Sequence, residues 1–198
     1  MKTLRYILFG GLFLVGGSLL YENYQLQEHT KRADKLRHSI KDRNDCIFCR
    51  IADHREKTKI LYEDERIVIF SDIVPAADTH LLCIPRSHIQ FYSELPLADE
   101  SSLSLITHMR AQLLQVAAAT SNKPIRTGFV RWPWNSVYHM HMHAISSPFH
   151  DDEPAIRTLG LSSPWFFMRS ETLMHAIQDA LADKSDNNGN ANKGRSKL

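Results

Sequence analysis

The most constraining stretch of this chain is five residues long: His139-Met140-His141-Met142-His143. A perfect alternation of two side-chain types belongs to an extended strand, whose successive residues point to opposite faces, and not to a helix. The pattern predicts a strand over residues 138–145. It puts three imidazoles on one face, about 6.6 Å apart, because a strand rises about 3.3 Å per residue. Met140, Met142 and Ala144 share the other face and are suited to a core. A row of imidazoles is costly to bury without polar partners, so it calls for an anion, a metal ion or mutual hydrogen bonds. A solvated surface strand, a metal site alone and a phosphate-directed active site all remain open at this point.

The surrounding sequence predicts an α+β domain. Residues 59–62, 67–70, 80–84 and 126–130 are short extended candidates, and Pro85 closes the third. Leu103, Ile106, Met109, Leu113 and Val116 recur at helical spacing, which predicts one long helix within 99–120. A short C-terminal helix is expected over 171–181. Strands in neighbouring runs, rather than strict alternation with helices, favour an antiparallel sheet.

The domain is expected over 44–182. The tail, 183–198, is almost free of apolar residues and is expected to be disordered. At the other end, residues 6–20 carry no charge, and 1–21 is expected to be a membrane-anchoring signal anchor. A polar basic stalk follows over 22–43. Basic residues after the apolar run and retained thiols suggest a catalytic domain on the cytosolic side of that membrane. Three cysteines in 198 residues cannot form a disulfide framework. A net charge of +2 gives no electrostatic ground for nucleic-acid binding.

His139 to Ile145, HMHMHAI, resembles the signature of the histidine triad family of nucleotide hydrolases and transferases. Upstream text resembles the same family in order: Cys46-Ile47-Phe48-Cys49-Arg50-Ile51, then Phe70-Ser71-Asp72-Ile73, then Thr79 to Ile89. Asn135-Ser136-Val137-Tyr138 leads into the triad as in the Hint-type branch. The resemblance implies a five-stranded antiparallel sheet with one long helix and a short C-terminal helix, usually as a homodimer. It implies a covalent nucleotidyl-histidine on His141, with His143 and His80 binding the phosphoryl group. An unperturbed imidazole is neutral and nucleophilic near pH 7, which agrees with that role.

The resemblance also places Ser136 on a phosphate oxygen or the leaving amine, and Asp72 on the ribose hydroxyls. Phe48, Ile51, Phe70 and Ile73 match apolar walls of a purine slot, though each is equally suited to a core. Asn135 is counted with the nucleotide contacts. Cys46, Cys49, His88 and His139 match a structural zinc set, and no catalytic metal is implied. The expected substrates are purine nucleoside monophosphate conjugates such as adenosine 5′-phosphoramidate. Alternatives are hydrolysis of dinucleoside polyphosphates, aprataxin-like adenylate removal, and a catalytically dead nucleotide- or zinc-binding membrane scaffold. The loop Arg131-Trp132-Pro133-Trp134 departs from the glycine-rich run of many Hint-type members and leaves the choice of leaving group open.

Overall fold

The computed structural model describes residue 31 and residues 43–132, 134–150 and 164–195. The chain divides into two units, 1–39 and 40–198. The architecture below belongs to the second.

Helix α1, Ile47–Ala52, opens the fold. Phe48, Cys49, Ile51 and Ala52 are buried, a spacing that turns one side of a short helix inward. Its end is closed by two reversed bonds, from the His54 amide to the Ile51 carbonyl and from the Arg55 amide to the Arg50 carbonyl. His54 takes the left-handed conformation, at φ 57°, that this closure requires.

Six strands follow in one antiparallel sheet: β1 Ile60–Glu63, β2 Ile67–Ser71, β3 His80–Pro85, β4 Ile125–Val130, β5 Met142–Ser146 and β6 Phe167–Arg169. Their spatial order is β1-β2-β3-β5-β4-β6. Helix α2, Glu100–Thr120, lies between β3 and β4 in sequence; its start is capped by Asp99, whose carboxylate accepts from the Ser101 amide. Helix α3, Ser170–Arg195, ends the described chain.

Alternation sorts the strands into two faces. Ile67, Ile69, Leu81, Cys83, Met142 and Ala144 enter the main core with Ile106, Met109 and Leu113 of α2 and Leu173 and Ile177 of α3. On the other face Val68, Phe70, Leu82 and Ile84 pack under α1. His80 and His143 occupy that second face: Leu82 pairs with His143 across β3 and β5, and His80 pairs with Ile145.

Four expectations need correction. The sheet has six strands, not five. β6 is only three residues long, too short to show an alternation. The C-terminal helix is not short: among the described side chains Ile177 is the last that is buried, but the helical backbone continues to Arg195. Apolar periodicity reports which helical residues are buried, not where the helix ends. The histidine strand begins at Met142, not Tyr138. The β3–β5 ladder stops at Cys83 and Met142, and the Met140 amide donates instead to the Ile89 carbonyl in the loop beyond β3.

The last correction concerns the membrane. Among the described residues no helix is long and apolar enough to cross a membrane. This overturns the expected membrane-anchored localisation and the cytosolic placement built on it. Segment 1–21 itself lies outside the described residues, as does nearly all of 22–43.

Candidate active site

Five imidazoles line up along the α1 face, and the group bonded to each ring decides what the ring can do. His141 is central. Its Nδ1 lies 2.7 Å from the His139 carbonyl oxygen, which can only accept. The proton is therefore on Nδ1, and Nε2 keeps its lone pair. Burial lowers the His141 pKa, which favours the neutral ring, while the carbonyl bond and the charge of Asp72 act in the opposite direction. Phe48 packs edge-on against His141, with centroids 5.2 Å apart, and also against Phe70 and His139.

On one side stands a proton-ordered chain. The Ala76 amide donates to His80 Nδ1 at 3.0 Å, so the His80 proton resides on Nε2. That Nε2 lies 2.9 Å from His143 Nδ1 and 3.3 Å from Asp72 Oδ2. With His80 donating, His143 Nδ1 accepts and the His143 proton moves to Nε2. The rings of His141 and His143 are 4.9 Å apart. Asp72 is further held by the Val74 amide, which donates to Oδ1 at 2.9 Å.

On the other side stands a sulfur and nitrogen cluster. The ligand atoms of Cys46, Cys49, His88 and His139 all lie within 4.8 Å of one another. His139 Nε2 donates to the Pro85 carbonyl at 2.8 Å, which turns Nδ1 toward both sulfurs at 3.5 Å. His88 Nδ1 is 3.2 Å from the Cys49 sulfur. Zinc–sulfur bonds near 2.3 Å and zinc–nitrogen bonds near 2.05 Å place tetrahedral sulfur and nitrogen about 3.5 Å apart, so these residues fit such an ion. Burial pushes the His139 pKa down to about 3, keeping it neutral as a ligand must be. Burial and the neighbouring Cys46 push the Cys49 thiol up to about 12. The Cys49 thiol therefore resists ionisation unless a cation joins it.

The remaining sequence-nominated residues divide. Phe48, Ile51 and Phe70 are buried together with Val68, Leu82 and Ile84. Ile73 stands apart from them, 95% exposed. Ser136 is exposed on the loop before the triad. Asn135 is buried there, and its amide nitrogen donates to the Val137 carbonyl at 3.4 Å. Sequence reasoning missed the groups that set the tautomers: the Ala76 amide and the carbonyls of Pro85 and His139. They are backbone atoms, and no residue type could have advertised them.

The family model described as scavenger mRNA decapping enzyme C-term binding matches residues 45–157. The bifunctional adenosine 5′-phosphosulfate phosphorylase/adenylylsulfatase HINT4 of Arabidopsis thaliana is 39% identical over 140 residues, covering 69% of this chain and 94% of that protein. The adenosine 5′-monophosphoramidase HINT3 of Xenopus tropicalis is 29% identical, covering 65% of this chain and 84% of that protein. Among solved structures, a HIT family hydrolase from Legionella pneumophila is 30% identical over 52% of this chain and 93% of its own, with a TM-score of 0.47. With its matched family model and an ordered row of triad imidazoles, the chain belongs to the histidine triad family, in its Hint-type branch, and is a hydrolase of that family.

Proposed function

We propose that this hydrolase cleaves adenosine 5′-phosphate conjugates at the α-phosphorus through a covalent nucleotidyl-histidine on His141. The observation that carries the reading is the His141 tautomer. With Nδ1–H committed to the His139 carbonyl, Nε2 presents a lone pair beside the His143–His80 pair. In the first step Nε2 bonds to phosphorus and the bond to the leaving group breaks. With a phosphoramidate the leaving nitrogen takes a proton and departs as ammonia or an amine. In the second step water attacks the same phosphorus and the P–N bond to His141 breaks, giving AMP and the free imidazole. His143, carrying its proton on Nε2, is the donor suited to a phosphate oxygen on which negative charge accumulates.

The leaving group is the less constrained part. The names of two relatives indicate different ones, an amine for the Xenopus protein and sulfate for the Arabidopsis protein. Adenosine 5′-phosphoramidate is the first substrate to test, and adenosine 5′-phosphosulfate is the second. The full chain and His141→Ala should be compared for AMP release from each, with acid-quenched samples searched by mass spectrometry for an adenylylated protein. Turnover and adduct in the wild type alone support the reading. Equal turnover in the variant overturns it.

Zinc belongs to the same reading. The set Cys46, Cys49, His88 and His139 would hold it in a closed four-ligand site, which is structural and not catalytic. When bound, zinc would supply a cross-link between α1, the loop after β3 and the residue that fixes the His141 tautomer. Substrates are purine nucleoside monophosphate conjugates, and the homodimer implied by the family is tested by light scattering of the full chain.

A further inference from the structure

Gly128 lies next to His143 across β4 and β5. A Cβ at this position would meet the Phe167 ring at 2.5 Å and the Met168 carbonyl oxygen at 2.3 Å. Real Cβ contacts do not come that close, so β6 can lie against β4 here only because residue 128 is glycine. The space is filled by the Phe167 ring, which is 3% exposed and lies 6.3 Å from the His143 ring between centroids. Phe167 also packs in one buried cluster with Ala76, Ala77 and Ile145. Ala76 supplies the amide that orients His80, and Ile145 is the cross-strand neighbour of His80. One aromatic side chain therefore touches His143 and the support of His80. It comes from β6, beyond the residues 45–157 that the family model matches.

We propose that Phe167 is a positioning residue for the His143–His80 pair, so that the C-terminal strand is part of the active-site apparatus of this chain. The proposal rests on the phosphoryl-transfer reading above for its kinetic consequence, but not for its structural one. The Phe167 ring, lying over Gly128 of β4 and against His143 of β5, holds the His143 imidazole in the orientation in which Nδ1 meets His80 Nε2. A smaller, freely rotating side chain leaves that imidazole room to turn. Misplacement of a phosphate-binding group acts on the chemical step more than on nucleotide affinity.

The test compares Phe167→Leu and Gly128→Ala with Leu173→Ala in the full chain. Leu173 is equally buried but faces the main core, away from the histidines. For Phe167→Leu, kcat on adenosine 5′-phosphoramidate should fall about ten- to hundredfold with KM within about twofold. The 15N imidazole signals of His80 and His143 should move from single tautomers toward averaged values. Leu173→Ala should lower the melting temperature but keep both kcat and the imidazole signals. Wild-type kcat and imidazole signals in Phe167→Leu would overturn the proposal, as would an equal kcat loss in Leu173→Ala. Should the wild type itself fail to turn over the substrate, the functional reading falls while the imidazole signals still decide the positioning role. Gly128→Ala gives an independent check: if folded, it should reproduce the Phe167→Leu signals, and unchanged signals would count against the proposal.

Discussion

Two clusters flank His141, and they are built from nearly the same parts to opposite ends. Cys46, Cys49, His88 and His139 bring together two imidazoles and two sulfurs. Asp72, His80 and His143 bring together two imidazoles and a carboxylate. In the first cluster the His139 lone pair points at sulfur because its other nitrogen donates to the Pro85 carbonyl. In the second the His80 proton points at its neighbour because the other nitrogen accepts from the Ala76 amide. A backbone acceptor leaves one imidazole with a lone pair facing two sulfurs, and a backbone donor makes the other a proton donor. The comparison teaches that the role of a histidine is read from the group behind it, not from its place in a motif.

Removing the ring between the clusters should have the largest effect. His141→Ala should reduce turnover at least about a thousandfold while AMP still binds, as calorimetric titration would register. If turnover persists, His141 is not the nucleophile, and the contrast between the clusters loses its centre.

Breaking the sulfur cluster comes next. Elemental analysis of the full chain should find one zinc per chain, and Cys49→Ser should lose it. Withdrawing a tightly held ion by chelation should lower the melting temperature by about 10 °C. An unchanged melting temperature, with no zinc in the purified protein, would show that the two thiols and two imidazoles are only packed together.

The proton-ordered cluster should respond kinetically above all. His80→Ala should lower kcat about ten- to hundredfold, because His143 loses the donor that orders its tautomer, and should also lower the melting temperature, because the buried His143 Nδ1 and Ala76 amide lose their partner. A large drop in melting temperature with kcat intact would reverse the roles assigned to the two clusters.

Another imidazole–carboxylate contact, His108 Nε2 with Asp64 at 2.6 Å, lies outside the two clusters and sharpens the comparison. Asp64 is partly buried, which alone would raise its pKa. The amides of Arg66 and Ile67, with His108 and Tyr62, outweigh that and hold it at about 2. A carboxyl depressed in the folded state stabilises the fold above its unfolded value of 3.8, and that stability is lost as pH falls through about 2. Asp64→Asn should cost about 1–2 kcal/mol at pH 7 by urea denaturation, with the difference from wild type closing in acid. Its kcat should not change. A gap that stays constant through acid would mean that the side chain packs, without electrostatic stabilisation.

Much of the fold could be read early because burial leaves a trace in the sequence. The continuous apolar runs of β2 and β3, buried on both faces, and the apolar spacing of α2 appear in the text much as they appear in space. β6 could not be read, since Phe167-Met168-Arg169 has no room for a period and is a strand only by pairing with β4. α3 was read short because residues 182–187 are exposed and leave no apolar mark in the sequence. The histidine row was read correctly in its facing and wrongly in its extent: Met140, Met142 and Ala144 do enter the core, but outside the ladder His139 is held by the Pro85 carbonyl and Met140 by the Ile89 carbonyl.

The sequence by itself determined which residues could do chemistry here, because only imidazole, thiol and carboxylate groups offer lone pairs or protons near neutral pH, and their spacing confines them to one face. Tertiary structure alone decided what each of them does. Cys46 and His139 are separated by 93 residues and meet at 3.5 Å, and His80 and His143 by 63 and meet at 2.9 Å. The proton positions of His80, His139 and His141 follow from a backbone amide or carbonyl, and that of His143 follows from His80. Folding must bring such partners there because a buried ring nitrogen left without one is costly.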